Sequence, residues 1–242
     1  MPNAPPAAAT TARPDPVWAK ALPVGAAVAA YGLSYGVLAV AAGLSPLVAT
    51  LSSVLVLAGG SQFAFVGVLA AGGNPFAGAA GGLLLNVRYL AFGVAIAPRL
   101  PASSLGRRLL DSYLVVDESV ALALGGPRRD AARRFRVTGL TVVVAWITAT
   151  AIGAYGGQLL GDPERFGLDA AFPAGFLALL APWLRRRSGR VAALVGTTLA
   201  LALTPVAPPG VPVLAAALGA LVALRVTDDP AAATQPDGTE PP

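Results

Sequence analysis

The strongest chemical signal in this sequence is one arginine inside a long apolar segment. Residues 83–97 read LLLNVRYLAFGVAIA and predict an apolar helix with Asn86 and Arg88 near its middle. Arg88 is the single formal charge between Ala21 and Ala97. An ion in the centre of a hydrophobic segment costs about 2.5–3.5 kcal/mol on insertion scales, so it should face other protein or a water-filled cavity. A functional site is therefore the default hypothesis.

The chemistry that suits Arg88 is the binding of a carboxylate. Its planar guanidinium can hold two carboxylate oxygens at once. Asp117 and Glu118 are the nearest acids in sequence that do not lie beside a run of arginines, so they are the natural partners for Arg88. A structural ion pair with either acid would leave the same pattern in the sequence as a binding site. Both interpretations stay open at this stage.

A second signal is a glycine pair in the apolar run 44–72, which is too long for one simple span. Gly59 and Gly60 each destabilise a helix interior by about 1 kcal/mol, and the polar Ser61 and Gln62 follow them. We predict a broken helix whose second half starts near Ser61 and points free N–H groups at an anion. The alternative is a flexible, tightly packed helix with Gln62 bonded to a neighbour.

A third signal is the sequence YGLSYG at 31–36, within the first predicted span, 21–43. Gly32 and Gly36 have the spacing that lets two helix backbones approach closely. Ser34 and Tyr35 add hydroxyl groups that could line a cavity. Close packing and a cavity-lining weak point are equally compatible with this stretch.

The composition indicates that these segments belong to a membrane protein. Of 242 residues, 55% are hydrophobic and 12% are charged, against about 25% charged in a soluble domain. We therefore predict an all-α polytopic membrane protein with about seven to eight transmembrane helices, some of them discontinuous. The charges are absent from four long segments, Ala21–Val87, Val137–Gly161, Ala170–Leu184 and Val191–Leu224.

The same composition excludes several classes of function. The net charge of +5 comes from arginines beside apolar spans, where the positive-inside rule places them, so we expect no nucleic-acid partner. The chain has no Cys and no His, which removes disulfides, thiolate metal sites and the commonest proton shuttle. We expect no metal, no cofactor and no enzymatic activity.

The predicted organisation is a disordered tail at 1–19, a transmembrane transport domain at 20–226 and a disordered tail at 227–242. Both termini are expected in the cytoplasm. The stretch 109–124 is either a surface amphipathic helix or a short acid-bearing helix, with Asp111 and Glu118 on one face. If it crosses the membrane and the run 44–72 crosses once, the arginines at 99, 107 and 108 fall outside, against the charge bias. If either segment does not cross, the count changes.

Five stretches together resemble the AzlC family, the large permease subunits of branched-chain amino acid exporters. The resemblance covers roughly residues 20–225. It implies export of valine, leucine and isoleucine across the plasma membrane, and a small hydrophobic AzlD-type partner subunit. Family members often have His after the Arg, as in NLRH, whereas this chain has Tyr89. The stretches, in family order, are GLSYGVLAVAAGLS (32–45), VLAGGSQFAFVGVLAAGGNP (56–75), LLLNVRYLAFGVAIAP (83–98), LDSYLVVDESVAL (110–122) and DAAFPAGFLALLAPWL (169–184).

The resemblance gives the candidate residues a possible substrate. A zwitterionic amino acid needs two charge partners and an apolar pocket. Arg88 suits its carboxylate, with the N–H groups of Gly59–Gln62 sharing that role, and Asp117 or Glu118 suits its ammonium group or a coupling proton. Phe63 and Phe65 could accept a branched side chain. A channel or permease for another small solute is the alternative function.

Overall fold

The computed structural model describes residues 17–101, 103–160, 177, 180–181, 183–208 and 210–227. In these ranges every regular element is a helix. The bulk of both predicted tails and most of the predicted span 169–184 lie outside the described residues. The helices are α1 (Val17–Ala41), α2 (Pro46–Val56), α3 (Gly59–Ala70), α4 (Pro75–Asn86), α5 (Arg88–Ile96), α6 (Leu105–Tyr113), α7 (Asp117–Leu124), α8 (Ala131–Leu160), α9 (Arg187–Leu203), α10 (Val211–Ala216) and α11 (Leu218–Ala223).

Three described helical segments are long and apolar enough to cross a membrane, namely Val17–Ala41, Pro75–Arg99 and Arg128–Gly157. The all-helical membrane architecture is thereby confirmed, whereas the predicted total of seven to eight spans is not. The first span starts at Val17 rather than at residue 21, so α1 begins within the last residues of the predicted N-terminal tail.

The centre of the molecule is a parallel pair of helices, α1 and α8. Gly32 lies against the backbone of Trp146, and Gly36 lies against the carbonyl of Thr150, so a Cβ at either glycine would collide with α8. Gly153 fits against the backbone of Leu33 in return. Of the two readings of YGLSYG, the glycines therefore serve close helix packing. Because residue numbers rise together along both helices, α1 and α8 start at the same end of the molecule.

The run 44–72 folds as two short helices that turn back in the middle of the bundle. Pro46 occupies the first turn of α2, and Ser45 caps the helix by accepting from the Val48 N–H at 3.3 Å. The chain breaks at Leu57, which adopts φ +43°. Helix α3 then runs antiparallel to α4, with Gly82 against Ser61. At 1.5 Å per residue α2 and α3 are each about 17 Å long, half of a bilayer core of about 30 Å.

The break in this run is confirmed, although its position differs slightly from the prediction. The second half-helix begins at Gly59 instead of near Ser61. The glycine pair forms the first turn of α3, where glycine destabilises a helix less than it does in the interior. The start of α2 and the end of α3 both lie at the end of the bundle opposite to the start of α1. The run therefore does not cross the bundle.

The predicted helix at 83–97 lies within one helical span, which is irregular between Asn86 and Arg88. Helix α4 ends at Asn86 and α5 starts at Arg88. Around Val87 the hydrogen bonds tighten to a three-residue spacing, from the Val87 N–H to Leu84 O at 3.3 Å and from the Leu90 N–H to Val87 O at 3.1 Å. The axis still continues to Arg99, so α4 and α5 form one irregular span.

The predicted single helix at 109–124 is wrong. It is two helices, α6 and α7, separated by residues 114–116. Ser119 holds this break, because its hydroxyl lies 2.6 Å from Leu114 O and 3.0 Å from Val116 O and accepts from the Val116 N–H at 3.1 Å. Asp111 and Glu118 consequently do not share a helix face, because they lie on different helices.

Helices α6 and α7 enter and leave the bundle at one end. The Arg99 guanidinium donates to Leu124 O at 3.3 Å, and Arg128 donates to Pro98 O at 3.2 Å. The end of α7 therefore lies beside the end of α5 and the start of α8. We call this end, with residues 98–108 and 125–136, the basic end. The two short helix pairs, α2–α3 and α6–α7, enter from opposite ends of the molecule.

The C-terminal helices form an antiparallel hairpin against α4. Gly196 of α9 packs on the backbone of Ala216, and Gly210 between the two arms lies against Ala77 of α4. That contact places the turn of the hairpin away from the basic end. The arginines at the start of α9 and Arg225 after α11 consequently lie toward the basic end.

Candidate functional site

Arg88 and Asp117 form a partly exposed ion pair between α5 and α7. The Arg88 Nη2 atom lies 2.8 Å from Asp117 Oδ2, and each side chain is 33% exposed. Each is the first residue of its helix, α5 and α7 respectively. Arg88 lies ten residues before Pro98 at the basic end, which is about 15 Å at the helical rise. The pair therefore sits near half the thickness of a bilayer core.

Two buried polar atoms of this segment have no hydrogen-bond partner in the described part of the chain. They are the Arg88 Nε donor and the Asn86 Oδ1 acceptor. An unsatisfied buried polar atom costs about 1–3 kcal/mol. Side chains two residues apart on a helix point to nearly opposite sides, so only the Arg88 Nε atom belongs to the ion pair. The pair therefore retains a donor that suits a ligand carboxylate.

Glu118 and two aromatic rings surround the pair. Glu118 is half-buried in the first turn of α7 and interacts electrostatically with both Arg88 and Asp117. The Arg88 guanidinium carbon lies 5.3 Å from the ring centre of Tyr89, whose ring is in turn 6.1 Å from that of Phe92. Tyr89, the residue after the arginine, therefore contributes a ring face to the site.

Gln62 belongs to a different polar cluster, which joins four helices. Its amide nitrogen donates to Ser52 and Ser53, both at 3.1 Å, and its oxygen accepts from Trp146 Nε1 at 3.1 Å. Ser52 also pairs with the Tyr35 hydroxyl at 2.8 Å. Gln62 is 4% exposed, and both polar atoms of its amide are hydrogen-bonded. We call these residues, with Thr150, the Gln62 network; it fixes the broken helix to α1 and α8.

An aromatic cluster covers this network. The Tyr35 ring stacks on Trp146 at 5.8 Å and meets Phe63 edge-on at 5.5 Å. Phe63 is thus occupied in the core, 5% exposed. Gly59 is needed here because a Cβ would lie 2.9 Å from the Trp146 ring.

The remaining predicted residues are satisfied locally. The Ser61 hydroxyl donates to Ala58 O at 2.9 Å, and the Ser34 hydroxyl donates to Ala30 O at 3.1 Å. Gly60 is half-buried in the first turn of α3. Arg88, Asp117 and Glu118 are therefore brought together. Ser61 contacts Gly82 of α4, the helix that ends at Asn86.

Sequence reasoning missed two contacts that hold the site. Asp111 and Arg136 form a double hydrogen bond, with both N–O distances 2.8 Å. The Tyr113 hydroxyl donates to Val54 O at 2.7 Å and so links the inner ends of the two re-entering helix pairs. The exposed carbonyls at the end of α2 signal a need for such a donor, but nothing in the sequence indicates which tyrosine supplies it.

Comparisons with known proteins agree with the motifs. A family model described as AzlC protein matches residues 23–160. The chain is 29% identical over 193 residues to the inner membrane protein YgaZ of Escherichia coli strain K12, over 74% of this chain and 78% of the relative. It is 32% identical over 194 residues to an uncharacterised membrane protein of Archaeoglobus fulgidus, over 76% of this chain and 82% of the relative. No solved structure gives a significant match.

Proposed function

We propose that this chain, which belongs to the AzlC family, is the large subunit of a secondary transporter that exports valine, leucine and isoleucine from the cytoplasm. Family membership and two membrane-protein relatives support a component of a membrane transporter. The substrate class and the direction of transport are our proposal. It assigns the protein no enzymatic activity and no cofactor.

One observation carries the proposal: the buried Arg88 Nε donor has no hydrogen-bond partner among the described residues, although Arg88 forms an ion pair with Asp117 at mid-depth. A purely structural ion pair gains nothing from an unsatisfied buried donor, since that donor lowers stability. An amino acid that reaches the site satisfies it. Its carboxylate accepts from the guanidinium of Arg88, and its ammonium group donates to Asp117 or Glu118.

The ion pair also supplies a way to couple binding to movement. Arg88 and Asp117 lie on different helices. A substrate that inserts between them replaces the ion pair with two contacts of its own, one to Arg88 and one to Asp117. A ligand shifts a conformational equilibrium only by its differential affinity for the two states. In our proposal the state in which Arg88 and Asp117 are separated binds the zwitterion more tightly than the paired state. Glu118 is the candidate carrier of a coupling proton.

The Gln62 network has a supporting role in this proposal. Every polar atom of the Gln62 amide is engaged inside the bundle, so the network holds the broken helix α2–α3 rather than the substrate. Ser61 and the helix α3 backbone approach α4 through Gly82, which places the start of α3 against the span that carries Arg88.

We further propose a small AzlD-type partner subunit and a plasma-membrane location with both termini in the cytoplasm. The span Pro75–Arg99 is 17% buried in its most apolar window, against 44% for the other two candidate spans. Because this span carries Asn86 and Arg88, a protein neighbour on its exposed side would keep hydrocarbon away from the polar groups. The lipid bilayer covers the remaining apolar surface.

The test of the function is efflux of labelled L-valine from preloaded cells that express the chain with its partner. Arg88→Ala is expected to lower the initial efflux rate at least about tenfold, because loss of a carboxylate partner removes a charge-assisted contact. Arg129→Ala, an exposed arginine change at the basic end, should export like the wild type.

Wild-type efflux by Arg88→Ala at equal membrane expression would remove Arg88 from the site. A competition assay distinguishes the proposed exporter from the alternative function. If leucine and isoleucine fail to compete with valine while an unrelated solute does, the chain is a channel or permease for that other solute.

A further inference from the structure

A cavity of about 430 Å³ opens between α5 and α6 at the basic end of the molecule. Ligand pockets for small molecules begin at about 300 Å³, so this volume suits an amino acid with a few waters. The cavity is separate from the Arg88–Asp117 pair, since neither residue lines it. We infer that it is a second amino-acid site, which holds the substrate on the cytoplasmic side before the substrate reaches Arg88. This inference rests on the proposed function.

The lining has the two parts that a branched-chain amino acid requires. Ile96, Leu100 and Val115 provide an apolar wall for an aliphatic side chain. Arg108 provides a guanidinium and Ser112 a hydroxyl. A carboxylate that accepts from Arg108 leaves its aliphatic side chain facing the wall.

A buried acid in the same lining does not oppose this arrangement. Asp111 is 4% exposed, and its charge is balanced by the double hydrogen bond from Arg136 at 2.8 Å. Its oxygens retain further lone pairs, which can accept from a substrate ammonium group. The cavity thus offers one cation, Arg108, which has no ion-pair partner among the described residues, and one compensated anion, Asp111. Together they fit a zwitterion better than a simple anion.

The position of the cavity makes it a passage toward the central site. Pro101 and Ser103 line it at the basic end, whereas Val115 lies two residues before Asp117. Gly93, which also lines it, is five residues along α5 from Arg88, about 7.5 Å at the helical rise. The cavity therefore reaches from the basic end to the level at which α6 turns into α7.

The test uses the absence of cysteine from the sequence. Ala97→Cys places a thiol in the lining, and Gly106→Cys places one on exposed α6 outside it. The full chain with its partner is labelled in inside-out vesicles with a membrane-impermeant maleimide. L-Valine at ten times its half-protecting concentration should slow labelling of Ala97→Cys about tenfold by mass action. Labelling of Gly106→Cys should not change.

Three further measurements make the result specific. Adding Arg108→Ala to Ala97→Cys should abolish protection and leave the unprotected labelling rate unchanged, while Arg107→Ala should keep protection. L-Valinamide, which has no carboxylate, should protect at least about tenfold less well. Arg88→Ala should keep protection, because the cavity lies apart from Arg88.

The inference is overturned if valine does not protect Ala97→Cys in vesicles that transport valine, or if Arg88→Ala abolishes protection in a folded protein. In the first case the proposed function stands without a second site. If the wild type fails to export valine at all, the proposed function fails, and the efflux assay reports this independently of thiol labelling.

Discussion

At the scale of single residues, the main feature of the site is a guanidinium of Arg88 that is only partly hydrogen-bonded. Its Nη2 atom has Asp117 as a partner, but its Nε atom has none in the described part of the chain. A buried ion pair by itself is weak evidence for stability, since desolvation offsets the attraction. The unsatisfied Nε points instead to a ligand. Stability and transport should therefore respond differently to changes at this pair.

Charge reversal separates these two contributions. Arg88→Ala or Asp117→Ala leaves one charge uncompensated, and we expect a loss of about 2–3 kcal/mol in the free energy of unfolding, less than the ~3–5 of a fully buried pair because one third of each side chain is exposed. The double change Arg88→Asp with Asp117→Arg restores the pair and should recover most of the thermal stability. Valine efflux should stay lost, since the carboxylate site is reversed. Recovered efflux would make the pair purely structural.

Gln62 offers a contrasting residue, because all of its side-chain contacts are internal. Gln62→Leu leaves the Trp146 N–H without an acceptor and removes a donor from Ser52 and Ser53. We expect a loss of about 2–3 kcal/mol from these buried groups, measured as a lower melting temperature in detergent. Thr198→Val on α9, where the hydroxyl bonds only to its own helix and is exposed, should have little effect. Unchanged stability of Gln62→Leu would contradict the structural role.

At the scale of helices, the molecule combines long spans with helices that stop at mid-depth. Helices α2 and α3 meet at Leu57, and α6 and α7 meet at 114–116. Helix starts at mid-depth leave free backbone N–H groups inside the bundle, and only buried or cavity-lining positions tolerate this in a membrane. Asp117 stands at such a start, whereas Arg88 follows the irregular turn at Val87 within a continuing span. The bond from Tyr113 to Val54 O then fixes the two re-entering pairs relative to each other.

The broken helices pack against α1 and α8, which are in close contact with each other. Gly36→Ala should lower the melting temperature and cost about 1–3 kcal/mol, because the new Cβ meets the Thr150 carbonyl and the helices must separate. Gly67→Ala in α3 is the matched control, since no atom lies within 4 Å of its Cβ position. It should be neutral or mildly stabilising through helix propensity. Equal melting temperatures for the two variants would contradict the packing argument.

At the scale of the whole molecule, the basic residues gather at one end. The guanidinium contacts of Arg99 and Arg128 bring the loops before α6 and before α8 together. The parallel packing of α1 and α8 puts the N-terminal Lys20 at that same end. We propose that this end faces the cytoplasm, as the positive-inside rule favours. The conflict over the arginines at 99, 107 and 108 disappears, because neither α2–α3 nor α6–α7 crosses the bundle.

Thiol accessibility tests this topology in whole cells. We expect Gly106→Cys and Arg129→Cys to react only from the cytoplasmic side, because α6 and α7 return to the end at which they started. Ala71→Cys at the exposed end of α3 should react only from outside. Labelling of Gly106→Cys and Arg129→Cys from opposite sides would mean that 105–124 crosses the membrane and would overturn the arrangement.

The sequence by itself determined the class of protein, the family, the glycine break and the need of Arg88 for an acidic partner. Each follows from local chemistry: an apolar segment of given length spans a bilayer, a Gly-Gly pair weakens a helix, and an isolated charge needs a partner. It also narrowed the acid partner to Asp117 and Glu118. These conclusions depend on residues that are near each other in the chain or on composition alone.

Only the tertiary structure decided which acid pairs with Arg88, that 109–124 is two helices, and that Gln62 is a brace between helices. Ser119 ends α6 through contacts that periodicity does not encode, and Trp146 reaches Gln62 from a helix far away in sequence. The choice between crossing and turning back depends on which loops meet at the basic end. Such contacts join residues distant in the chain, and their geometry is fixed by packing rather than by local preference.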